Sequence, residues 1–141
     1  MTAVDFSAAA LAVGRSLAAA AGVEIGGRVD WVEADLGAWV PEPAGFELVV
    51  SIYVHVAGEV GEMVARLAAA VAPGGTLLLA GHRPVDPRTG EPTPAAGQVQ
   101  VSVGAARAAL APERWELLVA EERVRSPAGT GVDAVVVARR R

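Results

Sequence analysis

Phe46-Glu47-Leu48-Val49-Val50-Ser51-Ile52-Tyr53-Val54-His55 decides how this 141-residue chain is read. Its middle is an apolar, β-branched run, the pattern of a strand buried on both faces of a parallel sheet. It then delivers a tyrosine and a histidine to its carboxyl end. In open α/β sheets, ligands sit beyond the carboxyl ends of the strands. The stretch is therefore expected to be both the core of the fold and one wall of a site.

Downstream, residues 58–72 place Val60, Met63, Val64, Leu67 and Val71 at helical spacing, which predicts an amphipathic helix. Pro73-Gly74-Gly75 stops it, and residues 76–80 form a wholly apolar strand. Upstream, residues 36–45 hold Pro41, Pro43 and two glycines and read as a loop. Before them, residues 28–35 alternate as an outer strand should. Residues 2–5 read as a short strand, and Ser7 as the N-cap of a helix over residues 8–21. Beyond His82, residues 82–97 carry four prolines and form a long irregular loop. Ser102 caps a short helix ending near Leu110. Strands are predicted over residues 115–124 and 132–138, joined by the turn-forming linker 126–131. The order β-α-β-β-α-β-α-β-β implies one α/β domain spanning residues 1–141. Its sheet would be mainly parallel with helices on both faces, closed by one antiparallel strand.

Composition narrows the function classes. At 52% hydrophobic and 20% charged residues the chain is not intrinsically disordered. The net charge is -4 and every basic residue is arginine. No basic stripe appears outside Arg139-Arg140-Arg141, which argues against a nucleic-acid partner and reads as a solvated terminus. With no cysteine, disulfides and thiolate chemistry are ruled out. The two histidines show no metal-ligand spacing, so no metal is expected. No apolar run is long enough to span a membrane, and no signal-peptide layout opens the chain. A cytoplasmic protein without a membrane partner is the default expectation.

Two acids end strands. Asp5 can accept hydrogen bonds from vicinal ribose hydroxyls, as in dinucleotide-binding folds, or it can cap the following helix with Ser7. Asp35 can accept from an adenine amino group or simply form a turn. Joined with Phe46-Glu47-Leu48-Val49-Val50-Ser51 and with the helix that runs into Pro73-Gly74-Gly75-Thr76, these strings occur in one order. In that order the chain resembles the class I S-adenosylmethionine-dependent methyltransferases over essentially its whole length. The resemblance implies a three-layer Rossmann-like fold and S-adenosyl-L-methionine as cofactor. It implies Asp5 on the ribose, Phe6 against the adenine, Asp35 and Leu36 at the adenine edge, and Ser51 and Ile52 toward the methionine.

Such enzymes carry a glycine-rich GxGxG loop after a first strand, ahead of the strand bearing the acid. Met1 opens directly on the acid-bearing strand, so this first strand, loop and helix are read as missing. Either the natural protein extends upstream, or a short protein fills the gap with a partner chain or by pairing its two inner edges. The expected function is methyl transfer to a small-molecule acceptor. The alternative is a non-catalytic remnant that binds or dimerises through its incomplete sheet. On the transfer side, His55 can act as general base, since histidine titrates close to neutral pH. Tyr53 can orient the acceptor. His82 and Arg83 can contact an anionic substrate, and the incomplete sheet can support a homodimer, the assembly expected of the remnant.

Overall fold

The computed structural model describes residues 1–86, 89–124 and 131–141. The elements are β1 (Thr2–Asp5), α1 (Ala8–Ala20), α2 (Val23–Gly26), β2 (Asp30–Glu33), β3 (Phe46–Ile52), α3 (Val60–Ala70), β4 (Val71–His82), α4 (Val103–Ala109), β5 (Trp115–Val124) and β6 (Val132–Arg140). Every predicted element is present; among the described residues the one-turn helix α2, between the predicted helix over residues 8–21 and the predicted strand over 28–35, is additional. The predicted linker 126–131 lies outside the described residues except for Gly131. Two compact units, Met1–Trp39 and Val40–Arg141, are distinguished.

In the first unit β1 pairs with β2 in parallel, from Thr2 opposite Asp30 to Asp5 opposite Glu33. The crossover between them is α1, capped as expected: the Ser7 hydroxyl accepts from the Ala10 N–H at 3.2 Å. Leu11 is the buried anchor of the helix. Gly14 lets α1 settle onto β2, because a Cβ there would stand 2.6 Å from the Trp31 ring. The Arg15 guanidinium lies over the same ring, 5.7 Å from its centroid.

In the second unit the sheet order is β3-β4-β6-β5. β3 and β4 are parallel, while β6 is antiparallel to both β4 and β5. Thus β3, β4 and β5 share one direction and β6 alone opposes it. Helices α3 and α4 pack into one core with the sheet. Val60, Met63, Val64 and Leu67 of α3 meet Leu77 and Leu79 of β4, Val136 of β6 and Ala106 of α4. Burying each large apolar side chain contributes about 1.5–3 kcal/mol before chain entropy is counted.

Three expectations are corrected. First, β3 is not buried on both faces. Among the described residues it pairs with β4 alone, and Leu48, Val50 and Ile52 are 58%, 49% and 50% exposed. Val49 of the opposite face packs against the core. The apolar run signals a strand with one covered and one open face. β1 belongs to the two-stranded sheet of the first unit and β3 to the four-stranded sheet of the second. Second, Pro73-Gly74-Gly75 is not a loop between helix and strand. It lies within β4, where the register jumps from Phe46 opposite Val71 to Leu48 opposite Thr76. Gly74 has φ +78°, and a Cβ at Gly75 would stand 2.9 Å from the carbonyl oxygens of Ala72 and Glu47. The glycines permit this irregularity. Third, the arginine tail is not simply solvated. Arg140 ends β6, and its guanidinium donates to the carbonyl of Val71 at the end of α3.

Candidate active site

Asp5 and Asp35 stand at the same end of the β1–β2 pair. The parallel register sets Asp5 opposite Glu33, and the Ala34 N–H donates to the Asp5 carbonyl at 3.1 Å. Chain direction therefore brings both carboxylates to the carboxyl ends of their strands. Asp5 Oδ1 accepts from the Ser7 N–H at 2.8 Å, which fixes the side chain in a tight turn. Asp35 Oδ1 does the same with the Gly37 N–H at 2.7 Å. Each acid thus makes the turn contact foreseen as its modest role. The same contact orients the carboxylate, whose several lone pairs can accept further bonds. Phe6 is 73% exposed beside Asp5, and Leu36 is half-buried beside Asp35. Two oriented carboxylates with an exposed aromatic side chain beside one of them are acceptors to which ribose hydroxyls and an adenine amino group can donate.

The second unit carries Ser51, Ile52, Tyr53, His55, His82 and Arg83 near the carboxyl ends of β3 and β4. Ser51 is buried and Ile52 is half exposed. Tyr53 follows β3 with φ +57°, a left-handed conformation that non-glycine residues rarely hold. Its N–H still donates to the Ala80 carbonyl at 2.8 Å. Its ring stacks on the His82 imidazole, with centroids 3.8 Å apart and planes inclined by 22°.

Asp133 ties this pair together, and sequence reasoning missed it. It lies in β6, opposite His82 in the β4–β6 ladder, and is only 7% exposed. Its Oδ1 is 2.8 Å from His82 Nδ1, and its Oδ2 accepts from the Tyr53 hydroxyl at 2.9 Å. A buried carboxylate requires such donors. Its one sequence signal is a lone acid in the otherwise apolar run Val132 to Val137.

Gln100, also missed, is buried beneath the histidines. Its Oε1 accepts from the backbone N–H of His82 at 2.9 Å. A backbone N–H can only donate, so the amide orientation is determined. The Gln100 NH₂ then donates to His55 Nε2 at 2.8 Å and to Gln98 Oε1 at 3.0 Å. With the amide so oriented, His55 Nε2 is the acceptor of this bond. Gly81 makes this packing possible, since a Cβ there would meet the Val101 carbonyl oxygen at 2.5 Å. Arg83 pairs with Glu122, Nε to Oε1 2.6 Å. A carboxylate partner therefore accompanies the guanidinium expected to meet an anionic substrate. A cavity of about 200 Å³ opens at this end, with His82, Arg83, Thr93, Pro94, Gln98 and Val132 in its wall.

The family model described as a methyltransferase domain matches residues 1–75. Among solved structures, an S-adenosylmethionine-dependent methyltransferase from Mesorhizobium loti is 21% identical with a TM-score of 0.69. The match covers 99% of this chain and 80% of that one. The N-methyltransferase NodS from Bradyrhizobium japonicum is 15% identical, TM-score 0.71, over 99% of this chain and 72% of that one. Geranyl diphosphate C-methyltransferase from Streptomyces coelicolor is 13% identical, TM-score 0.72, over 99% and 63%. The curated proteins contain no match. Among the described residues no helix is long and apolar enough to cross a membrane. With the fold of class I S-adenosylmethionine-dependent methyltransferases and a family match over more than half its length, this chain belongs to the methyltransferase domain family.

Proposed function

We propose that the chain binds S-adenosyl-L-methionine and catalyses transfer of its methyl group to a small-molecule acceptor. Asp5 would hold the ribose, Phe6 the adenine face, Asp35 and Leu36 the adenine edge, and Ser51 and Ile52 the methionine end. The cofactor supplies an electrophilic methyl carbon on a sulfonium. The residues supply orientation and a place for the acceptor's proton. The observation that carries this reading is the pair of oriented carboxylates at one end of β1 and β2, inside the segment that the family model matches. Structural neighbours solved with geranyl diphosphate agree with a small acceptor. Calorimetry with S-adenosylhomocysteine tests the reading. Saturable one-to-one binding is expected, and an absence of heat at millimolar ligand would overturn it.

A homodimer is a second proposal, supported by the single-neighbour strand β3 and its exposed Leu48, Val50 and Ile52. Open apolar strands favour association. Sedimentation across a concentration series is expected to show a reversible monomer–dimer equilibrium that Val50→Lys shifts to monomer. An invariant monomer would refute it.

A further inference from the structure

We infer that His82 takes the proton of the methyl acceptor, that Asp133 and Tyr53 hold it in that role, and that the acceptor is a small, weakly acidic O–H compound bound in the cavity beside it. This rests on the methyl-transfer reading above.

The two histidines differ in their partners. His55 Nε2 faces the Gln100 amide, a donor whose orientation the backbone dictates. That contact uses the basic lone pair of the ring to anchor the loop. His82 Nδ1 faces a buried carboxylate instead. An ionised carboxylate only accepts, so the proton sits on Nδ1 and the basic lone pair is on Nε2. When Nε2 gains a proton, Asp133 is already in place to balance the new charge, the arrangement by which a buried acid orients and supports a base. Tyr53 adds two constraints: its hydroxyl occupies Asp133 Oδ2, and its ring stacks on the imidazole. Its left-handed backbone is the strained feature of this set, and strain of that kind persists where surrounding contacts fix it.

The cavity lies against this base. Its described lining includes His82 and Arg83, each with a carboxylate partner, Asp133 and Glu122. An imidazole is a weak base, so the hydroxyl it relieves of a proton must itself be weakly acidic. The Thr93 hydroxyl donates to the Arg83 carbonyl and accepts from the Ala95 N–H at 3.1 Å, which ties the rim to β4. In the step, the acceptor O–H bond breaks and its proton moves to His82 Nε2. The oxygen electron pair forms the new bond to the methyl carbon. The pair of the broken carbon–sulfur bond stays on sulfur, which ends as a neutral thioether. The imidazolium returns its proton to water.

4-Nitrophenol is a suitable probe, because its phenolate absorbs visibly. Mixed with the full chain somewhat below its own pKa, it is expected to give a saturable rise in phenolate absorbance. His82→Gln should remove the rise, and Asp133→Asn should weaken probe binding about tenfold. Tyr53→Phe, which keeps the stack, should weaken it less. Imidazole ¹⁵N–¹H spectra should show His82 protonated on Nδ1 in the wild type and a changed tautomer balance in Asp133→Asn. No phenolate signal with the wild type, a signal that survives His82→Gln, or a wild-type His82 protonated on Nε2 would each overturn the inference. S-adenosylhomocysteine calorimetry on His82→Gln separates the two failures. Retained binding leaves the cofactor reading standing while the base assignment falls, whereas a wild type that binds none defeats the cofactor reading itself.

Discussion

Asp5→Asn is expected to weaken S-adenosylhomocysteine binding by about 3 kcal/mol, roughly a hundredfold, without unfolding the protein. The choice of asparagine matters. Asp5 Oδ1 accepts from the Ser7 N–H, and an asparagine oxygen can do the same. The turn that starts α1 therefore survives. What is lost is a charged acceptor for the ribose hydroxyls, and hydrogen bonds to charged groups are worth about 1.5–3 kcal/mol each. Asp5→Ala removes the turn contact as well and should abolish binding altogether. Calorimetry with both variants, beside thermal melts, separates charge from turn. Unchanged affinity in Asp5→Asn would remove Asp5 from the cofactor site.

The second large effect is on stability. Gly81→Ala should lower it by about 3 kcal/mol, the upper range for overpacking, and the melting temperature by on the order of 10 °C. The added Cβ would lie 2.5 Å from the Val101 carbonyl oxygen and 2.9 Å from its nitrogen. Both are backbone atoms, so no rotamer change relieves the clash. β4 cannot retreat, because it is hydrogen-bonded to β3 on one side and β6 on the other. The segment carrying Gln100 and Val101 must move instead. It then draws Gln100 off the His82 backbone and off His55. The variant should therefore also perturb both imidazole signals. A melting temperature within a degree or two of wild type would show that this close approach does not occur.

Local rules made most of the fold legible. The N-cap at Ser7, the α3 stripe and the apolar strands all follow from residue-by-residue spacing, and each is found within a few positions. The open face of β3 was not legible, because a β-branched apolar run looks the same whether one or two faces are covered. The bulge at Pro73-Gly74-Gly75 was read as a helix stop, since the same residues serve either end of a turn. At the site, the sequence pointed to both histidines and Tyr53 but not to what joins them. Asp133 is 51 residues from His82 and 80 from Tyr53. Only strand pairing brings it near, and no local pattern reports a partner at that separation. Gln100 was hidden for the same reason, in a loop whose only visible signal was proline.

The β1–β2 sheet has a thermodynamic consequence. It is two strands of four residues each, backed by α1, with Leu11 the buried large side chain of that helix. Two-stranded sheets of this length are marginal on their own, whereas β4 is held from both sides over most of its length. The amides of β1 and β2 should thus exchange with solvent faster than those of β4 and β6. Asp5 and Asp35 both belong to that thinner ladder. If Asp5 and Asp35 hold the cofactor as proposed, part of the free energy of binding adenosine there is spent on holding β1 and β2 in register. The ligand then acts as a cohesive element, and its arrival should be read most sensitively as slowed exchange at Ala3, Val4 and Val32.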